Sequence, residues 1–198
     1  ERRERQVHNQ SWRPCRTGQR QIRHCGGKHR CKRNYDAEQN CAAVFEGNRV
    51  FLVEIQALTA PAKAAVSRVF SDKIDSARVS RIAAILEKRA GIKFLGQDIY
   101  INVAGGIRLS ESAVDAALAV AMYSARTDIP VAVGTAIFGE LSLAGEIRAV
   151  PKIKPRAKTA ESLGFTRIYS AEKHPGVLQV RDIASLIKSV FGGSKAES

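Results

Sequence analysis

Residues 98–125 read DIYINVAGGIRLSESAVDAALAVAMYSA, and this stretch decides the fold class. Its first part alternates: Ile99, Ile101 and Val103 share one face, as a half-buried strand requires. Gly105-Gly106 breaks the strand. Ser110 then stands where a helix N-cap belongs, and an Ala-rich helix is predicted from Glu111 to about Ala125. That helix is apolar almost all round, so it is expected to be buried. A strand, a glycine break and a buried helix in sequence predict helices packed on a sheet.

Working outward, Ala42–Phe45 and Arg49–Gln56 are apolar runs separated by Glu46-Gly47-Asn48, a hairpin signature. Val66–Phe70 is a candidate strand. Asp75 or Ser76 caps a predicted helix running to Ala90, with Val79, Ile82, Ala83 and Leu86 as its buried stripe and Gly91 as its stop. Beyond the central stretch, Val133–Leu141 and Glu146–Val150 predict a second hairpin through Leu143-Ala144-Gly145. Pro155 suits the first turn of a helix that ends at Gly164. Thr166–Ser170 reads as a strand and Arg181–Phe191 as a last amphipathic helix, leaving 193–198 as a loose tail. The expectation is an α+β fold, a mixed sheet with packed helices, over residues 42–192.

The 198 residues carry a net charge of +13, unevenly spread. Residues 1–41 hold 11 Lys+Arg against 4 Asp+Glu, more than half of the excess in a fifth of the length. All four cysteines lie there. Large apolar residues are few, too few to offset the entropy of ordering the segment. Three readings stand: a disordered basic tail, a metal site, or a stretch that is not a natural coding segment. Cys15, Cys25, His29, Cys31 and Cys41 are the weak metal candidates, because no C-x-x-C spacing occurs. The chain opens on Glu1 rather than Met, which reads as a fragment or a processed chain. No apolar leader opens it and no apolar run is long enough to span a bilayer, so no membrane partner is expected.

Chemistry is sparse. No G-x-x-x-x-G-K-[ST] run is present, and Gly105-Gly106 lacks a dinucleotide spacing. His174 reads as a surface histidine, and Glu140 and Glu146 as ordinary hairpin-flanking charges. Arg148, Lys152, Lys154, Arg156 and Lys158 concentrate positive charge after the second hairpin. Two readings stand for them, a solvated helix face and a contact with phosphates, and in the second they are the candidate DNA contacts. No aromatic residue interleaves them, so salt-sensitive contact with the phosphate backbone is expected.

Five runs carry a family resemblance: Val50–Leu58 (VFLVEIQAL), Leu86–Gly91 (LEKRAG), Asn102–Leu109 (NVAGGIRL), Phe138–Arg148 (FGELSLAGEIR) and Ala160–Phe165 (AESLGF). Over residues 43–192 the chain resembles the C-terminal domain of the RadA (Sms) family of bacterial DNA repair proteins. That domain is similar to the proteolytic domain of Lon proteases, which implies a Lon-like fold. A weaker resemblance links it to the Lon-like domain of magnesium-chelatase-type proteins. Lon enzymes use a Ser–Lys dyad, and the matching positions here are Ala113 and Arg156. A methyl cannot attack, and a guanidinium stays protonated and cannot act as base. The resemblance therefore implies a catalytically degenerate protease domain, and this chain is expected not to be an enzyme. The alternative is an ATP-independent serine peptidase with a relocated nucleophile, Ser110 or Ser112.

The resemblance further implies a DNA-dependent ATPase in the full-length family, with ATP, magnesium and zinc as its cofactors and none in this chain. It implies a hexameric ring, action on single-stranded or branched DNA in branch migration, the RecA recombinase as a further partner, and a cytoplasmic location. Residues 1–41 occupy the place of the ATPase end without resembling it.

Overall fold

The structure is a computed structural model that describes residues 40–46, 49–64 and 66–192. Residues 1–39 and 193–198, with Cys15, Cys25, His29 and Cys31 among them, lie outside the described residues.

The first hairpin forms as expected. Strand β1 (Asn40–Glu46) pairs antiparallel with β2 (Arg49–Pro61), in the register Ala42 to Val53 and Val44 to Phe51. β2 runs five residues past the predicted end because it also pairs antiparallel with β4 (Gln97–Val103). The strand expected at 66–70 is shorter and later, β3 (Val69–Ser71), parallel to β4. Three parallel pairings complete the sheet: β5 (Thr135–Phe138) with β1, β8 (Arg167–Ser170) with β5, and β9 (Leu178–Gln179) with β8. The order is β3-β4-β2-β1-β5-β8-β9, a mixed sheet as predicted. β9 is only two residues long, too short to leave a periodic signal.

Alternation along the strands builds two cores on opposite faces. Val53, Ile55 and Ala57 of β2, Ile137 of β5 and Tyr169 of β8 face the larger one. It is filled by α1 (Ser76–Ala90), α2 (Asp115–Thr127) and α4 (Ile183–Phe191). Val50 and Leu52 of β2, Ala136 and Phe138 of β5 and Ile168 of β8 face the smaller core. This one lies under α3 (Ile153–Ser162).

α1 is legible end to end. The Asp75 carboxylate accepts from the Ala77 N–H, and Gly91 closes the helix at φ 71°, a left-handed cap that suits glycine. α4 starts at Ile183, two residues later than predicted. Asp182 and Ser185 form a reciprocal capping box that sets its first turn.

Two expectations are corrected. Ser110 does not cap α2. Residue 111 is extended, residues Ser112–Val114 make one 3-10 turn, and α2 begins at Asp115 with no side-chain cap. The reason is Arg78 of α1. It donates to the carbonyls of Leu109, Ser110 and Glu111, at 3.3, 3.3 and 2.6 Å, and holds that segment off the helix. The second hairpin is also smaller than predicted. Gly139 splits the run, sending β5 into the main sheet and leaving a two-stranded ribbon of β6 (Glu140–Leu141) and β7 (Ile147–Arg148). Among the described residues no helix is long and apolar enough to cross a membrane.

Candidate functional site

Ala113 and Arg156, the two positions that the resemblance sets against a protease dyad, are both buried, the first in the smaller core and the second on α3, which covers that core. Ala113 sits in the 3-10 turn before α2, buried beside Phe138 and Ile153. Its carbonyl accepts from the Gly139 N–H at 2.9 Å, and the Gly139 carbonyl accepts from the Ala116 N–H at 3.0 Å. This reciprocal pair needs glycine at 139, because a Cβ there would lie 2.4 Å from the Ile147 Cγ2. Arg156 projects from α3 into the protein and is 1% exposed. Its Nε donates to the Pro151 carbonyl at 3.1 Å, and its terminal nitrogens reach both carboxylate oxygens of Glu111, two residues before Ala113. The site thus joins a methyl and a paired guanidinium, with neither a nucleophile nor a proton acceptor at these two positions.

Beside it lies an open cleft of about 560 Å³ between α1, the start of α2 and the β6–β7 ribbon. Ser112, Asp115, Glu140, Arg81 and Arg148 line it. Asp115 is the buried charge. Its carboxylate accepts from the Arg78 Nε at 2.6 Å, lies 3.7 Å from an Arg81 Nη, and takes a long 3.5 Å bond from the Leu141 N–H. Burial pushes its pKa above the ordinary aspartate range, and the neighbouring Arg78 only partly opposes that. Ser112 is exposed in this cleft and Ser110 is exposed nearby. Neither hydroxyl has a hydrogen-bond partner among the described residues. A serine nucleophile needs a base within hydrogen-bond reach, and among the described residues none is bonded to either hydroxyl.

The basic cluster divides. Lys152, Lys154 and Lys158 are exposed, and Arg148 is exposed with its guanidinium 3.7 Å from Glu140. Arg156 is corrected out of the phosphate-contact set, since its guanidinium points inward to Glu111. Within α3, 154 and 158 are one helical turn apart, whereas 156 lies on the opposite, buried side. Sequence reasoning missed Glu111 and Arg78. Their roles depend on contacts 45 and 37 residues away, which no local pattern encodes. Asp115 did leave a signal, as a charge inside an apolar helix. Of the metal candidates only Cys41, in β1, falls within the described residues.

Comparison with known proteins places this geometry. Residues 53–173, more than half of the chain, match the family described as subunit ChlI of Mg-chelatase. The chain belongs to this ChlI family. It is also similar to proteins named DNA repair protein RadA. The one from Treponema pallidum is 67% identical over 160 residues, covering 77% of this chain and 35% of that protein. The one from Bacillus subtilis is 37% identical over 166 residues, covering 79% and 36%. The one from Listeria monocytogenes is 43% identical over 134 residues, covering 68% and 29%. The chain therefore spans about a third of the length of these relatives.

These matches correct the expectation that the chain is not an enzyme. Both lead to an ATPase family, and the ChlI family membership overturns that reading. It had rested on an absent phosphate-loop motif and on the two replaced dyad residues, which describe this stretch of chain and not the family it belongs to. The magnesium-chelatase resemblance, ranked behind RadA in the sequence, is itself a family match that runs through Val53–Leu58 and Asn102–Gly106.

Proposed function

We propose that this chain acts in DNA repair as the Lon-like, non-proteolytic part of a RadA-type ATPase. It serves there as a scaffold and as a surface for DNA. The observation that carries this reading is the 67% identity over 160 residues to a RadA protein. The residues at the two dyad positions support the non-proteolytic part: Ala113 supplies no oxygen, and the Arg156 guanidinium has donors only and is paired with Glu111. In this reading the full-length assembly is a hexameric ring in the cytoplasm that drives branch migration on single-stranded or branched DNA. The RecA recombinase is its further partner. ATP with magnesium, and zinc, are the cofactors of the full-length family. The sheet of the folded unit starts with β1 at Asn40, two residues before the boundary at 42 read from the sequence.

The DNA surface is formed by Lys152, Lys154 and Lys158 with Arg148. Each phosphate contact contributes about −0.9 to the slope of log affinity against log salt. Neutralising the three lysines together should weaken binding of a DNA oligonucleotide and flatten that slope, as read by fluorescence anisotropy from low to physiological salt. Unchanged affinity and slope would refute this surface.

The exposure of Ser112 in the cleft favours one second reading, a serine peptidase. A fluorogenic-peptide assay on the chain and on its Ser110→Ala and Ser112→Ala variants separates the two. We expect no cleavage by any of them. ATP-independent cleavage lost in either variant establishes the peptidase instead.

A further inference from the structure

The smaller core covers only part of its side of the sheet. Val50 and Leu52 of β2 lie under α3, whereas Leu58, on the same side of the same strand, is exposed. In register with Leu58 is Tyr100 of β4, and in register with Tyr100 is Phe70 of β3. All three are exposed, while their strand neighbours Ala57, Ile99 and Ile101 are buried on the other side. The two rings stack, with centroids 4.6 Å apart and planes 6° from parallel. With a stacking gap of about 3.5 Å, such rings are offset by roughly 3 Å and cover each other only in part, and Phe70 and Tyr100 stay 41% and 38% exposed.

The Arg68 guanidinium carbon lies 5.2 Å from the centre of the Phe70 ring. The Arg68 side chain is 53% exposed, whereas that of its carboxylate partner Asp98 is 3% exposed, so the charge solvent meets at this end is positive. In the next row the Asn102 amide donates to Gln56 at 2.9 Å, and the Gln56 amide donates to Glu54 at 2.7 Å. Apart from Leu58 and the Glu54 carboxylate that Gln56 engages, this face is aromatic, guanidinium and amide in character.

We propose that this face takes the bases of single-stranded DNA. Phe70 and Tyr100 are its stacking surface, Arg68 is its planar cation, and Gln56 and Asn102 meet base edges. Sequence-tolerant single-strand binding combines aromatic faces with a cationic track. The cationic track is at hand, because α3, with Lys154 and Lys158, sits on the same side of the sheet. From Leu52 to Leu58 is roughly 20 Å along β2. The inference rests on the DNA reading above and adds base contact to a surface that otherwise meets phosphates alone.

The test uses the full chain and two labelled probes of equal length, oligo-dT and an abasic deoxyribose-phosphate oligomer. The wild-type chain should bind oligo-dT about tenfold more tightly, as one well-stacked base provides. Phe70→Leu/Tyr100→Leu should reduce that preference to about twofold, leaving the abasic affinity and its salt slope unchanged. Tyr100→Phe should keep the preference. The triple lysine variant should weaken both probes alike and keep it, so failure of the lysine surface and failure of the stacking face are told apart. Irradiation of the wild-type chain with 5-iodouracil-substituted DNA should place the crosslink on Phe70 or Tyr100 by mass spectrometry, independently of any variant's folding. No base preference in the wild type overturns the proposal, as does a preference unchanged in the double-leucine variant or a crosslink elsewhere. Loss of self-association with that preference unchanged assigns the face to a second copy of the chain, and overturns it equally.

Discussion

Arg156 ties α3 to the segment that leads into α2. A buried guanidinium is tolerable only when its charge and donors are met, and Glu111 and the Pro151 carbonyl meet them. Removing the carboxylate strands the cation. Glu111→Ala should cost about 3 kcal/mol of folding stability, whereas Glu111→Leu/Arg156→Met should recover most of that loss. Urea midpoints for the two variants decide it. Asp115 poses the complementary case, an anion whose burial outweighs the help of Arg78. Its folded pKa is raised, so between the unfolded and folded values the native state binds more protons than the unfolded state does. Its contribution is then complete below the unfolded pKa and is lost as pH rises through the folded one. The stability of the wild type relative to Asp115→Asn should fall as pH climbs from about 4. Denaturation at several pH values tests the sign, and a flat difference removes the claim.

At the scale of elements, the junction of β5 and β6 sets the geometry around position 113. Gly139 leaves the strand ladder to bond Ala113 in the turn before α2 and Ala116 in the first turn of α2, and Ile147 fills the space that a side chain at 139 would need. Gly139→Ala should overpack this point and cost about 2 kcal/mol, measured by chemical denaturation. A neutral substitution would show that the ribbon shifts freely. This junction also explains the misread second hairpin. The run 133–141 has the apolar pattern of one long strand, and the sequence contains nothing that says its backbone bonds turn away at 139. By contrast α1 was legible in full, because its cap, stripe and stop are all local features.

Across the whole molecule, the two cores share strands. β2, β5 and β8 each send alternate residues to opposite faces, so neither core can be dismantled alone. Ile55→Ala in the larger core and Phe138→Ala in the smaller one should each cost about 3 kcal/mol. Both should leave one cooperative transition, with fluorescence and circular dichroism coinciding. Separate transitions for the two sides would contradict the shared-strand architecture.

What the sequence determined by itself was whatever depends on neighbours along the chain. That covers the alternation of β2 and β4, the first hairpin, the stripe and caps of α1, the buried character of α2, and the presence of a methyl at 113 and a guanidinium at 156. Those features follow from side-chain period, turn residues and side-chain chemistry, all local. Tertiary structure alone decided that Arg156 turns inward to Glu111, that Arg78 delays the start of α2, and that Phe70 and Tyr100 stand side by side on an open face. Each joins residues 30 or more positions apart, so it came into being only when the sheet closed and brought distant strands and helices within reach of one another.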